Sequence, residues 1–313
     1  MKALVIGCGS IGRRHVSNLI ASSRIESVIV CTRNQDCLKD IDAGDKVETI
    51  ASLETVEADF AIIANDTDKH LETALRLAGM GMDLFIEKPL SHNTDNIDLL
   101  KDMAEAKGIR ISLGYNLRFL GIMEQIKELL SKSSLGKLYF AKIEVGQYLP
   151  LWREGTDYRN SYSVSADRGG GVALDLSHEL DYMRYFFGEP LSWKVVRAKA
   201  GDLEMNAEDI FEGIYNFDGG FTCNVHMDCL QKNAKRYIRI EGEKGSIFCD
   251  LISKELRLSI DTAETVINNK NMFDMNKTYI DELDHFMDVV ENRSNPAVTL
   301  QDGIEVLKLI KDN

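Results

Sequence analysis

No stretch of the 313-residue chain stays apolar for the length of a membrane span, so nothing in it reads as a transmembrane helix. Its first apolar run is short and breaks at Gly7, which does not suit a signal peptide. Positive charge is in deficit: 37 lysines and arginines stand against 50 acids, a formal net charge of -13. A nucleic-acid binder carries the opposite balance because it must neutralise phosphates, so that class of partner is excluded. A single nucleotide is not excluded, since backbone amides can hold its phosphates. The 6 cysteines, at positions 8, 31, 37, 223, 229 and 249, include no C-x-x-C pair. Reduced, mostly buried thiols in a cytoplasmic protein are the expectation. The chain also lacks an H-E-x-x-H segment and any tight Cys/His cluster, so no metal site is expected. Internal repeats and low-complexity segments are missing as well.

What the chain does have is the composition of a globular protein, 44% hydrophobic and 28% charged, with length for two domains. It opens on a strand, Lys2-Ala3-Leu4-Val5-Ile6, that runs into Gly7-Cys8-Gly9-Ser10-Ile11-Gly12 and an amphipathic stretch. This is G-x-G-x-x-G in the setting a dinucleotide site needs, with a β-branched run before it and a helix after it. One glycine makes the tight turn, the second lets backbone approach a pyrophosphate, and the third lets helix pack on strand. Gly7, Gly9, Ser10, Ile11 and Gly12 are therefore candidate cofactor contacts.

Strand and helix patterns alternate through the first 115 residues. Strands are expected at 25–31, 59–64, 82–86 and 109–113, and helices at 68–78 and 94–107, the latter with Leu99, Leu100, Met103 and Ala104 on its apolar side. Such alternation implies a doubly wound parallel sheet. Beyond it the pattern changes. A helix at 122–130 and a strand at 138–147 precede a loop at 148–168 rich in aromatics and charge. Gly169-Gly170-Gly171 leads into a helix at about 175–187. Strands then dominate at 192–200, 209–217, 220–228, 235–242, 245–251 and 255–260, with Asp218-Gly219-Gly220 a hairpin turn. Helices at 279–291 and 302–311 end the chain. The fold class is α/β: an N-terminal Rossmann domain at 1–116, then an α+β domain at 117–313 with an open, mainly antiparallel sheet. The C-terminal helix is a candidate to pack back on the first domain.

Three features together resemble the Gfo/Idh/MocA oxidoreductases: the glycine fingerprint, Glu87-Lys88-Pro89 after a Rossmann strand, and the glycine run followed by Asp175 and His178. The resemblance covers essentially the whole chain. It implies a nicotinamide cofactor at the first domain and a sugar-like substrate between the two domains. It further implies that Lys88 contacts the reacting hydroxyl and the nicotinamide ribose. On its own residues, Lys88 sits at the carboxyl end of a strand, where open α/β sheets bind ligands, and Glu87 either orients it or serves as a structural partner. His178 is the candidate acid/base, since alcohol oxidation must remove a hydroxyl proton and carbonyl reduction must return it. Many relatives place three residues between the Asp and the His, whereas Asp175-Leu176-Ser177-His178 has two, so Asp175 is either catalytic or a helix N-cap. Asp181 either orients the imidazole or packs.

The end of the second strand reads Cys31-Thr32-Arg33-Asn34, where an acid would bind the ribose of NAD. Thr32 and Arg33 favour NADP, by hydrogen bonding and by stacking or pairing with a 2′-phosphate, and Asp36 keeps NAD open. Asn65 and Thr67 belong to a loop that lines the cofactor in the family, although Asp66 replaces its usual proline. His70 reads as structural. Asn116 and Arg118 resemble the segment at the family's domain junction and are expected to face cofactor and substrate. Trp152, Arg153, Tyr158, Arg159 and Tyr162 are the substrate-recognition candidates, aromatic faces suiting sugars and arginines suiting anionic groups. His226 and Asp228 share one strand face and read as an oligomer or sheet-face pair rather than a metal site. The expected activity is hydride transfer between NAD(P) and a hydroxyl or carbonyl carbon of a sugar, polyol or derivative, anionic or nucleotide-linked sugars included. The rivals are an NAD-assisted glycosidase of the same fold and a non-catalytic nucleotide-sensing regulator. An open sheet face calls for a homodimer or homotetramer.

Overall fold

A computed structural model describes residues 1–34, 36–42, 44–53, 56–152 and 155–311. The chain divides into two units, one of residues 1–115 with 279–307, the other of 116–278 with 308–313.

The first unit begins with β1 (Lys2–Ile6), α1 (Ser10–Ala21), β2 (Ser27–Cys31), β3 (Val47–Ile50), β4 (Phe60–Ile63), α2 (His70–Gly79), β5 (Asp83–Ile86), α3 (Ile97–Lys107) and β6 (Ile111–Leu113). Its six strands are ordered β3-β2-β1-β4-β5-β6, and every pairing is parallel. Ala3 to Ile6 and Phe60 to Ile63 are buried throughout, which is why these strands read as unbroken apolar runs: layers cover a parallel sheet on both faces. The order reverses direction between β1 and β4, and their carboxyl ends form the crevice in which such sheets bind ligands.

The second unit contains α4 (Gly121–Ser131), β7 (Leu138–Gly146), α5 (Val172–Asp175), α6 (His178–Phe187), β8 (Ser192–Ala198), β9 (Ile210–Asn216), β10 (Thr222–Asp228), β11 (Lys235–Gly242), β12 (Gly245–Asp250), β13 (Glu255–Ile260) and β14 (Ala263–Ile267). Its eight-stranded sheet runs β14-β13-β12-β11-β7-β10-β9-β8. β7 pairs β10 in parallel, and the remaining neighbours pair antiparallel. Phe211, Tyr215, Val225, Met227, Ile238 and Ile240 alternate onto one buried face, and Leu180, Tyr182, Met183 and Phe186 of α6 are buried with them. Two helices follow, α7 (Met275–Asn292) and α8 (Leu300–Leu309). Leu283, Phe286, Met287 and Val289 of α7 join the core of the first unit with Val5, Phe60 and Phe85. No helix among the described residues is long and apolar enough to cross a membrane.

Four features depart from the sequence expectations. Strands β3 and β14 are too short and too polar to register in the pattern. Helix α3 starts at Ile97, behind a left-handed Asn96 (φ 61°), and Leu99 faces outward, 49% exposed. The helix expected at 175–187 is two pieces, broken at Leu176-Ser177; Asp175 ends α5 and Ser177 precedes α6, so Asp175 is not a helix N-cap. Finally, Cys8 and Cys37 form a disulfide across 29 positions, while Cys31, Cys223, Cys229 and Cys249 are free. The expectation of six reduced thiols fails at this pair because folding brings the glycine loop beside the segment after β2, a proximity that sequence spacing does not encode.

Candidate active site

In the first unit, the glycine loop joins β1 to α1. Gly7 takes φ 93°, and a Cβ there would lie 2.6 Å from the Ala64 carbonyl oxygen and 2.7 Å from Asn65 Cα. A Cβ on Gly12 would lie 2.2 Å from the Gly7 oxygen. Gly9 differs: nothing stands within 4 Å of its missing Cβ. Two glycines are thus demanded by the protein's own packing, and the third leaves an open approach to backbone. Gly9 is also the N-cap of α1, a 12-residue helix with no side-chain cap and no acid in its first turn. Its N–H groups and positive dipole end suit a diphosphate. Ser10 is exposed beside it, and Ile11 packs partly into the core. The loop fits a dinucleotide.

At the end of β2, Thr32 is half-buried; its backbone N–H donates to the Ile50 carbonyl (3.0 Å) and its Oγ1 accepts from the Asn34 N–H (3.1 Å). Arg33 is exposed. Asp36 is also exposed and pairs with Lys39 at 3.0 Å. Past β4, Asn65 Nδ2 donates to Thr73 Oγ1 at 2.9 Å, and Thr67 is buried in the turn before α2. His70 lies between the carbonyl oxygens of Pro89 (2.8 Å) and Asn65 (3.0 Å). Burial lowers its pKa from the ordinary value, and the bonds to the two carbonyls oppose that shift. His70 is thus a tie between the loop after β4 and the turn after β5.

That second turn carries Glu87-Lys88-Pro89, with a cis bond between Lys88 and Pro89. Glu87 is buried; its Oε1 meets His15 Nε2 at 2.6 Å, and its Oε2 accepts from the Lys88 N–H at 3.3 Å. Lys88 is half-buried at the carboxyl end of β5.

In the second unit, Asn116 is buried and donates to Thr278 Oγ1 at 2.6 Å. Gly170 and Gly171 let the chain close on itself: a Cβ on Gly170 would sit 2.4 Å from the Tyr162 oxygen, and one on Gly171 2.5 Å from Glu208 Oε1. Asp175 is buried at the end of α5, and His178, half-buried, is the first residue of α6. Asp181, one turn further along, is gripped by Arg118 in a two-pronged salt bridge of 2.6 to 3.2 Å. Both candidates are therefore engaged with each other.

The loop after β7 brings Trp152 and Tyr158 to one small pocket with Leu149, Thr156, Ser161 and Ser163. Trp152 Nε1 donates to the Gln147 carbonyl (2.7 Å), and Tyr158 Oη accepts from the Glu204 N–H (3.2 Å). Tyr162 is half-buried nearby in sequence. Arg159 is exposed and is forked onto Asp157 (2.7 to 3.0 Å) and Glu204 (3.2 Å), which together raise its guanidinium further above its ordinary value. Arg153 lies outside the described residues. His226 and Asp228 are a pair as expected, at 3.0 Å, with Glu212 on the other ring nitrogen at 2.6 Å.

Two members of a buried cluster in the first unit, His15 and Glu282, escaped the sequence reading. Glu282 on α7 is buried against Glu87 and His15. The signal was present, an acid in the otherwise apolar stripe of Leu283, Phe286, Met287 and Val289.

A parallel six-stranded sheet with this glycine loop and a lysine turn after β5 defines a nucleotide-dependent oxidoreductase. Two family models agree, one described as "Oxidoreductase family, NAD-binding Rossmann fold" at residues 1–115 and one as "GFO/IDH/MocA C-terminal domain" at 123–248. The chain belongs to the GFO/IDH/MocA oxidoreductases. It is 25% identical to the myo-inositol 2-dehydrogenase of Thermotoga maritima over 99% of this chain and 94% of the relative. Among solved structures it is similar to levoglucosan dehydrogenase in complex with NADH and levoglucosan (TM-score 0.86, 16% identity, 99% of this chain and 96% of that one). It is also similar to the WlbA dehydrogenase of Bordetella pertussis in complex with NADH and UDP-GlcNAcA (TM-score 0.85, 17% identity, 99% and 94%).

Proposed function

We propose that this protein interconverts a hydroxyl and a carbonyl carbon of a sugar, polyol or sugar derivative. The bound nicotinamide supplies the hydride acceptor or donor. The observation that carries the reading is Lys88 at the carboxyl end of β5, on a turn tied through His70 to the loop beside the glycine fingerprint. Gly7, Gly9, Gly12, Asn65 and Thr67 hold the cofactor's phosphates and ribose. Lys88 polarises the reacting oxygen, and His178 takes its proton in oxidation and returns it in reduction. The named substrates of the relatives, an inositol, an anhydrosugar and an acidic nucleotide sugar, support the substrate class.

Thr32 and Arg33, without an acid beside them, favour NADP over NAD. An anionic sugar has weaker support, because Arg118 and Arg159 are committed to internal carboxylates. The cytoplasm is the compartment expected from scattered thiols, and the Cys8–Cys37 bond counts against it. The eight-stranded sheet is the surface for a homodimer or homotetramer, and light scattering on the purified protein tests this; a monomer at micromolar concentration contradicts it. The function is tested by following reduced nicotinamide absorbance across a panel of inositols, free sugars and sugar acids.

A further inference from the structure

Beneath the turn that carries Lys88 lie three side chains from distant parts of the first unit. His15 comes from α1, Glu87 from the end of β5 and Glu282 from α7, with 0%, 6% and 1% of their surface exposed. One ligand atom from each lies within 4.8 Å of the others. His15 Nε2 and Glu87 Oε1 are hydrogen-bonded at 2.6 Å. Neither carboxyl oxygen of Glu282 has a hydrogen-bond partner among the described residues, and nor does His15 Nδ1.

The arrangement is built rather than incidental. Phe286, one turn after Glu282, packs edge-on against Phe60 (5.5 Å) and Phe85 (5.6 Å), so the face of α7 that carries both residues is locked onto the sheet. Room for the Glu87 carboxyl comes from Gly114, where a Cβ would lie 3.0 Å from Oε2 and 3.3 Å from Glu87 Cα. Around His15 the walls are aromatic: Phe85 at 5.4 Å and Tyr279, itself beneath the Arg14 guanidinium, at 6.3 Å. The titratable groups facing the cluster are thus His15, Glu87, Glu282 and Tyr279, with Lys88 and Arg14 at its edge. Two carboxylates this close in a buried site repel, so ionisation of both is disfavoured. Burial, and after it the charge of Glu87, push the Glu282 carboxyl well above its ordinary range.

We propose that Glu282 is a positioning residue that stays protonated and turns that proton toward the Glu87 carboxylate, which His15 holds at Oε1 and which in turn accepts the Lys88 N–H at Oε2. Glu87 is thereby oriented at Oε1 by the imidazole, buttressed by the neutral acid, and left with Oε2 for the Lys88 N–H. The catalytic consequence rests on the role given to Lys88 above; the protonation state does not.

The test therefore has two arms. Infrared difference spectra of cofactor-free wild type minus Glu282→Gln at neutral pH should contain one protonated-carboxyl C=O band. Its absence overturns the proposal, as does one equivalent of zinc in metal analysis of the wild type, since a cation would then take the proton's place. In turnover, Glu282→Leu should lower kcat by roughly 10- to 100-fold with little change in KM, the cost of a misplaced reacting group. Glu282→Gln, a neutral isostere, should recover most of that loss. Equal loss in both variants, or none in Glu282→Leu, contradicts the positioning role. A band without any turnover on sugars would leave the proton assigned and indict the functional reading instead.

Discussion

Arg118 and Asp181 form a forked ion pair whose side chains are 11% and 1% exposed, one turn from His178 on the helix that carries it. Cutting one partner strands a buried charge. Asp181→Ala should therefore destabilise the protein by about 3–5 kcal/mol in urea unfolding. A loss below about 1 kcal/mol, the value of a solvated pair, contradicts this.

His226 sits between Glu212 and Asp228 on the eight-stranded sheet, and its pKa rises to about 9, chiefly through the bond to Asp228 with Glu212 adding to it. The folded value lies above the unfolded one, so the stabilisation is complete below about pH 6.5. It is then lost as pH climbs through about 9. Glu212 is 44% exposed, and solvent screening limits the gain to the order of 1 kcal/mol. The stability difference between wild type and His226→Gln should shrink between pH 6.5 and 9.5; a constant difference contradicts the ion cluster.

The Cys8–Cys37 bond predicts a thiol count. Protein unfolded without reductant should react at 4 cysteines, those at 31, 223, 229 and 249, and at all 6 after reduction. Closing a loop of 29 positions should contribute about 3–4 kcal/mol in the chain-entropy view, so reduction should lower the melting temperature. Six reactive thiols without reductant contradict the bond.

Much of this was legible in the sequence because it is local. The fingerprint lies in one continuous segment, the β4 and β5 runs are apolar throughout, and the turn bearing Lys88 follows its strand directly. What escaped depends on long-range return of the chain. Glu282 becomes meaningful only when α7 packs over Phe60 and Phe85. The Arg118–Asp181 pair spans 63 positions, and Cys8 meets Cys37 through the turn after β2. Asp175 was ambiguous because the chain breaks at Leu176-Ser177, and no local signal separates a broken helix from a continuous one there. Leu99 has the right spacing for an apolar face, yet α3 buries its neighbour Leu100 and leaves Leu99 in solvent.

The proposed function stands on Lys88 and His178. The most direct measurement follows nicotinamide absorbance for wild type, Lys88→Ala and His178→Ala against sugars and polyols, with cofactor affinity measured in parallel. The account predicts net cofactor reduction with at least one substrate, a loss of roughly 100- to 10,000-fold in kcat/KM in each variant, and little change in cofactor binding. Near-normal turnover in either variant would contradict it. So would free sugar released from a glycoside with no net change in the cofactor, or tight cofactor binding with no turnover on any substrate.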